Sequence, residues 1–343
     1  MKILITTQII DTNDPILGFF HSWLKEFSKN FERVVVVCLK KGEFDLLENV
    51  EVLSLGKEGG VSRIKYIFNF YKYIFKERKN YDVVFVHMNE EYVLLGGIFW
   101  NIFRKKVVFW RNHKMGTWKT KIAGMLSKFV CYTSPDSFTA KFKNSIKMPV
   151  GIDDNNFRDL NIPRQDNSFL YVGRISPIKN IDKMVEALNV FYKKTGINFS
   201  FNIVGPADGA DKKYLVDIEN IISKNNLQDM IKILQPVSQE KLAEIYSSHK
   251  FCFNLTPSGS FDKTIWESVF CGCVPIVQNK SFLEEIPSEF SNVIGVSSVN
   301  TEEISSKIEN IVSLDLAEHI KKLQEIGKKH SLKNLISVLL KIL

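Results

Sequence analysis

Short runs of apolar and β-branched residues alternate with longer amphipathic stretches along the whole chain. In the first half the runs are KILITT, RVVVVCL, VEVLSL, DVVFVHM, KVVFW and FVCYTS. In the second half they are FLYVG, FNIVG, IKILQ, FCFNL, VPIVQ and NVIGV. Their apolarity is continuous rather than alternating, which predicts strands buried on both faces. Helical stretches between them require right-handed crossovers, and therefore parallel sheets. The 343 residues suffice for two domains. Two sets of six strands predict an α/β chain of two doubly wound, Rossmann-like domains. The polar stretch RDLNIPRQDNS reads as the linker, giving domains at 1–157 and 165–327. The last residues, SLKNLISVLLKIL, read as an amphipathic helix.

Composition narrows the class. Hydrophobic residues make up 45% and charged residues 24%, which fits a soluble globular protein. No apolar run reaches the roughly 20 residues that span a bilayer. The opening MKILITTQII is too short and polar for a secretory leader and reads as a first strand. Five scattered cysteines, with a CGC that lacks zinc-ligand spacing, predict reduced, mostly buried thiols in a cytoplasmic protein. The net charge is +8, and it is unevenly spread. From Val61 to Lys128 there are 14 Lys or Arg against 4 Asp or Glu, so +10, and the remainder sums to −2. Aromatics are interleaved with these charges in RIKYIFNFYKYIFKERKN, FWNIFRKKVVFW and HKMGTWKTK. Such a face suits an anionic membrane surface. A solvated helix face over ordinary core aromatics gives the same pattern. Nucleic acid fits it less well and is not expected as a partner.

In doubly wound sheets, ligands bind outside the carboxyl ends of the strands. Three loops there carry candidate chemistry. FLYVGRISPIKNIDKMVEAL runs from a strand through a Gly173 turn into a helix near Asn180, and places Arg174 and Lys179 on the rim. FNIVGPADG ends its strand in Gly205-Pro206, which lets backbone come close. FCFNLTPSGSFDKTIWES passes through a loop of small residues into a helix that carries Glu267. Two cations and a helix N-terminus make an anion site suited to a phosphate or diphosphate.

At these residues the chain resembles the family-4 retaining glycosyltransferases of GT-B fold. YVGRISPIKNIDKMVEAL resembles their segment of Gly-Arg, four residues, Lys and Gly. PVGIDDNNF resembles their crossover, and PSGSFDKTIWESVFCGCVPIV resembles their signature of two Glu eight residues apart followed by an Ala-Cys-Gly turn. The resemblance covers nearly the whole chain and is strongest from about Met148 to Val277. It implies that Arg174 and Lys179 hold the donor diphosphate and that Glu267 accepts hydrogen bonds from the ribose. It implies that Gly259, Ser260, Phe261, Asp262, Lys263 and Thr264 form a loop whose amides face the donor, with Gly173 and Gly205 on the same rim. In the first half it puts His113 toward the donor sugar, His87 on the acceptor side and Gly18 near the phosphates or acceptor. The C-terminal helix, about 328–343, is expected to pack back on the first domain.

The reading that follows is transfer of a sugar from a nucleotide-diphosphate donor, with retention. UDP-sugar stands first and GDP-sugar second. No cofactor and no metal ligand are required, since no Asp-x-Asp motif stands in a suitable loop. The acceptor is expected to be a lipid-linked or cell-surface glycan precursor, met by a cytoplasmic enzyme on the inner face of the membrane. One departure stands out: Gly259 replaces the first signature Glu, a residue that touches the donor sugar in the family. It suggests a donor sugar modified by an acetamido or deoxy group. It also keeps open a non-catalytic binding homologue. A sugar-nucleotide epimerase of similar fold is the other alternative.

Overall fold

The first sheet is built from β1 (Lys2–Ile10), β2 (Arg33–Lys41), β3 (Val50–Ser54), β4 (Val83–His87), β5 (Lys106–Trp110), β6 (Phe129–Tyr132) and β7 (Ser145–Lys147). The second is built from β8 (Ser168–Val172), β9 (Ser200–Val204), β10 (Ile231–Leu234), β11 (Phe251–Asn254) and β12 (Val274–Val277). The computed structural model describes residues 1–257 and 262–343. Among them the strands pair in the orders β3-β2-β1-β4-β5-β6-β7 and β10-β9-β8-β11-β12. Every pairing is parallel. The chain divides into two units, Met1–Asp153 with Ser331–Leu343, and Asp154–His330.

Burial on both faces accounts for the continuous apolar runs. In β1, Ile3 and Ile5 join one core while Leu4 joins the other. The first core lies under the helix Phe19–Asn30 and the C-terminal helix Leu332–Ile342. Phe20, Trp23 and Phe27 fill it, each fully buried aromatic contributing about 1.5–3 kcal/mol. The second core lies under the helices Arg63–Lys76, Glu90–Ile102 and Trp118–Leu126. The C-terminal helix is tied into the first unit by backbone and side chain. Leu332 N–H donates to the Ile152 carbonyl (2.6 Å), and Trp23 Nε1 donates to the Gly151 carbonyl (3.0 Å). Ser331 caps the helix by accepting from the Asn334 amide (3.2 Å).

The structure departs from the sequence reading in three places. Ser145–Lys147 adds a short edge strand to the first sheet. NVIGV is no strand: it closes the helix Ser288–Ile294, and Gly295 makes only an isolated bridge to Val277. A short apolar run cannot by itself separate a strand from a buried helix end. The polar stretch from Arg158 is not a free linker but part of the second unit. Phe157 is buried against Tyr246 (6.1 Å between rings), Arg164 pairs with Asp159 (2.8 Å), and Arg164 donates to the Cys271 carbonyl (2.8 Å).

All five cysteines are buried free thiols, and burial pushes Cys38 and Cys131 up to about 12. Among the described residues no helix is long and apolar enough to cross a membrane.

Candidate functional site

Each strand order reverses beside the unit's first strand, between β1 and β4 and between β8 and β11. A crevice opens at the carboxyl ends of the strands at such a switch point. In the second unit it is flanked by the loops after β8 and β11, which carry Arg174, Lys179, Thr256 and Asp262.

The β8 loop is laced to the end of β9. Gly173 N–H donates to the Val204 carbonyl (3.0 Å), and Ile175 N–H donates to the Pro206 carbonyl (2.8 Å). Gly173 (φ 145°) and Gly205 (φ 150°) both sit in backbone regions that glycine favours. A Cβ on Gly205 would overlap the Gly173 carbonyl oxygen. Both glycines therefore let two loops touch main chain to main chain. The buried Tyr171 hydroxyl donates to the Arg174 carbonyl (2.9 Å) and fixes the next residue along. The Arg174 side chain itself is half exposed, with Nε 3.7 Å from Asp211 at the start of the helix Asp211–Lys224. A 3-10 turn, Pro177–Lys179, then leads through a left-handed Asn180 into the helix Ile181–Thr195. Asn180 Nδ2 donates to the Leu255 carbonyl (2.9 Å) and joins the two switch-point loops.

Lys179 points into this junction. Its ammonium donates to Asp262 Oδ2 (2.7 Å) and Thr256 Oγ1 (3.0 Å), and both charged side chains are mostly buried. Asp262 caps the helix Lys263–Phe270, accepting from the Thr264 amide (3.4 Å) and hydroxyl (2.9 Å). Asn254 Nδ2 supports that hydroxyl (2.9 Å). Burial pushes the Asp262 carboxyl up, but the charge of Lys179 and hydrogen bonds from Lys179, Asn254 and Thr264 outweigh it and hold it at about 2. The folded value lies below the ordinary Asp value of about 3.9, so the pair stabilises the fold above that pH and the stabilisation is lost as pH falls through about 2.

One helical turn on, Glu267 is buried and accepts from the Tyr246 hydroxyl (3.4 Å). Burial pushes its carboxyl up, opposed by Lys263, while burial pushes the Lys263 ammonium down. The two groups therefore interact across one turn in a low-dielectric setting, not as an exposed surface pair. Gly259, Ser260 and Phe261 lie outside the described residues.

The first unit holds the remaining candidates, and they have different surroundings. Gly18 ends the β1 loop at the start of the helix Phe19–Asn30; a Cβ there would lie 2.6 Å from the Asp14 carbonyl oxygen. His87 ends β4 and is buried. Its Nδ1 hydrogen-bonds Thr7 Oγ1 (3.1 Å), and its ring stacks on Phe20 (4.4 Å between centroids). His113 is exposed on the loop after β5, with Nδ1 3.0 Å from the Met115 amide nitrogen. Arg174, Lys179, Gly173, Gly205, Asp262, Lys263, Thr264 and Glu267 thus share one rim of the second unit; in the first, His87 ends a strand, His113 lies on the loop after one, and Gly18 stands at a helix start. Sequence reasoning missed Asn254, Thr256 and Tyr246. Asn254 and Thr256 were legible in FCFNLTP, where Asn254 closes the buried strand and Thr256 stands two residues on.

A sequence search against curated proteins finds no match. The structure is similar to that of Anabaena HepE in complex with UDP and glucose, at 17% identity over 100% of both chains and a TM-score of 0.77. It is similar to a glycosyltransferase from Rickettsia africae, at 15% identity over 99% of this chain and 97% of that one, with a TM-score of 0.76. It is also similar to sucrose-phosphate synthase from Thermosynechococcus elongatus, at 17% identity over 100% of this chain and 97% of that one, with a TM-score of 0.73. At these identities the likeness shows the fold, which is GT-B. The model of the glycosyl transferases group 1 family matches residues 152–330, just over half of the chain and the whole of the rim described above, and the chain belongs to that family of glycosyltransferases.

Proposed function

We propose that the enzyme moves a sugar from a nucleotide-diphosphate donor to a lipid-linked or cell-surface glycan precursor, with retention, as in the family-4 enzymes it resembles. UDP-sugar is the first choice of donor and GDP-sugar the second; HepE was crystallised with UDP, which supports the order. The observation that carries the reading is the Lys179 ammonium, fixed 2.7 Å from an anionic oxygen at the switch point. In the transfer, the bond from the anomeric carbon to the β-phosphate oxygen breaks. The acceptor oxygen bonds to the same face, and its proton passes to the leaving diphosphate. Lys179 and Arg174 stabilise the charge that grows on that leaving group, more in the transition state than in the ground state. Glu267 holds the ribose, the first unit binds the acceptor, and His113 faces the transferred sugar. The test is a thermal-shift panel of UDP, GDP and ADP, followed by turnover of the matching labelled sugar donors. No shift with any of the three removes the donor site, and a shift without turnover favours a non-catalytic binding protein.

Asp262 has a defined part in this reading. Its carboxylate accepts from the Lys179 ammonium (2.7 Å), the group that in this reading pairs with the donor diphosphate. Asp262→Asn removes the competing charge and keeps the helix cap, since Asn caps as well as Asp. We expect the variant to bind UDP about tenfold more tightly by calorimetry, equal to about 1.4 kcal/mol. Weaker binding would mean that Asp262 orients Lys179 for the donor rather than competing with it.

The Gly259 reading leads to a donor panel on the parent and on Gly259→Glu. A parent that uses an acetamido or deoxy sugar should lose activity in the variant through steric clash. A parent that prefers a plain hexose, improved by the Glu, would reduce Gly259 to a tolerated loss.

A further inference from the structure

The three helices that cover the second core of the first unit turn an unusual outer face to solvent. Ile64 and Phe68 on Arg63–Lys76, Ile98 and Ile102 on Glu90–Ile102, and Trp118 and Met125 on Trp118–Leu126 are each more than half exposed. The helices form one continuous layer. Tyr71 and Phe75 pack on Phe99 (5.6 and 5.1 Å between centroids), and Gly97 lets Leu126 approach closely. Soluble monomers seldom expose large apolar groups in such density, and dense patches mark interaction sites.

The charge on this layer selects the partner. Arg63–Lys76 carries Arg63, Lys65, Lys72 and Lys76 and no carboxylate; Trp118–Leu126 carries Lys119 and Lys121 and none. The only carboxylates of the three helices are Glu90 and Glu91. Glu90 is buried, accepting from the Thr120 hydroxyl (2.5 Å) and lying 3.5 Å from Arg111. The cations lie beside the apolar groups: Lys65 sits over the Phe68 ring (5.0 Å) and Lys119 over Trp118 (5.9 Å). A cavity of about 570 Å³ opens beside Met125, lined also by Lys121, Lys141, Lys143, Phe138 and Phe142. A folded protein partner would need a matching acidic and apolar relief, whereas an anionic bilayer supplies acyl chains below a plane of phosphates. Side chains such as Phe68, Trp118 and Met125 can enter the acyl boundary while lysines reach the headgroups.

We propose that the outer face of the helices Arg63–Lys76, Glu90–Ile102 and Trp118–Leu126 docks on an anionic lipid bilayer, with the cavity beside Met125 seating a lipid phosphate headgroup. The inference goes beyond the transfer reaction and stands or falls without it, since no donor-site residue takes part.

Trp118 supplies a direct readout, because Trp23, Trp100, Trp110 and Trp266 are all buried. The full chain is mixed with phosphatidylglycerol–phosphatidylcholine vesicles or with pure phosphatidylcholine vesicles, at low and high salt. Expected results are sedimentation with the anionic vesicles only, reversal by salt, a blue shift of emission and quenching by brominated lipid. Trp118→Phe should abolish the shift. Lys65→Gln and Lys121→Gln should each weaken binding about fivefold, the equivalent of about 1 kcal/mol per charge near an anionic surface. Phe68→Asp with Met125→Glu should abolish binding while circular dichroism and UDP affinity stay those of the parent. The proposal is overturned if the protein remains in the supernatant or the Trp118 emission does not move. It is equally overturned if the acidic double variant binds vesicles as the parent does, if light scattering shows that the face joins two copies, or if it prefers duplex DNA at the same salt.

Discussion

Lys179→Ala is expected to lower kcat/KM by about 2–4 kcal/mol, roughly 30- to 1,000-fold, with the fold retained. The magnitude follows from where the ammonium sits. It is mostly buried, its ammonium donates to the Thr256 hydroxyl (3.0 Å), and it cannot be replaced by bulk cations. Charge that develops on a leaving diphosphate would meet a group already in position, which is worth more than a mobile surface lysine. Arg174→Ala is expected in the same range, although its guanidinium starts half exposed and 3.7 Å from Asp211. Removing Lys179 alone leaves Asp262 buried without its main partner, a known source of destabilisation. The double variant Lys179→Ala with Asp262→Asn separates that effect from catalysis, since it leaves no uncompensated carboxylate. Steady-state kinetics on both variants, with unfolding midpoints measured alongside, make the check. Normal turnover in folded Lys179→Ala and Arg174→Ala would sink the donor site as drawn.

The fold was legible because the strands are buried on both faces. β1 and β2 write that burial as runs such as KILITT and RVVVVCL, which few other structures permit. Arg174 and Lys179 were legible for a related reason: a strand, a glycine and a helix start confine them to one rim. What failed to read was structure held by contacts distant in sequence. The Arg158–Ser168 stretch is polar, so it passes for a linker, yet its ties run to Ser247 and Cys271 far along the chain. Tyr246 lies in the helix Gln239–Ser247, where nothing local marks it as the partner of Glu267. His87 shows the reverse difficulty. Its place at a strand end is plain in DVVFVHM, but its stacking on Phe20 depends on a helix that the sequence gives no means of docking. The Lys179–Asp262 pair likewise bridges 83 positions, and spacing alone could not suggest that the lysine would be occupied.

The second large effect lies in the backbone rather than in a side chain. Gly205→Ala is expected to destabilise the second unit by about 2–4 kcal/mol and to weaken UDP binding with it. Two costs add. The φ of 150° is one that side-chain-bearing residues rarely adopt, and the new Cβ would overlap the Gly173 carbonyl oxygen. The obstructing atom is main chain, so no flexible side chain can turn aside. Relief requires the β8 and β9 loops to part, which strains the bonds from Gly173 to Val204 and from Ile175 to Pro206. Arg174 is the residue between them, and Lys179 follows within the same loop. A displaced rim should therefore lose diphosphate affinity even at temperatures where the unit remains folded. Gly196→Ala is the matched control: Gly196 also has positive φ, at 70°, but a Cβ there meets nothing within 4 Å. It should cost only about 1 kcal/mol and leave UDP binding unchanged. Calorimetric unfolding and UDP titration of the two variants decide the matter. If Gly205→Ala proves no worse than Gly196→Ala on either measure, the contact between the two loops is not what fixes the rim, and Arg174 and Lys179 must be held in place by Tyr171 and Asn180 instead.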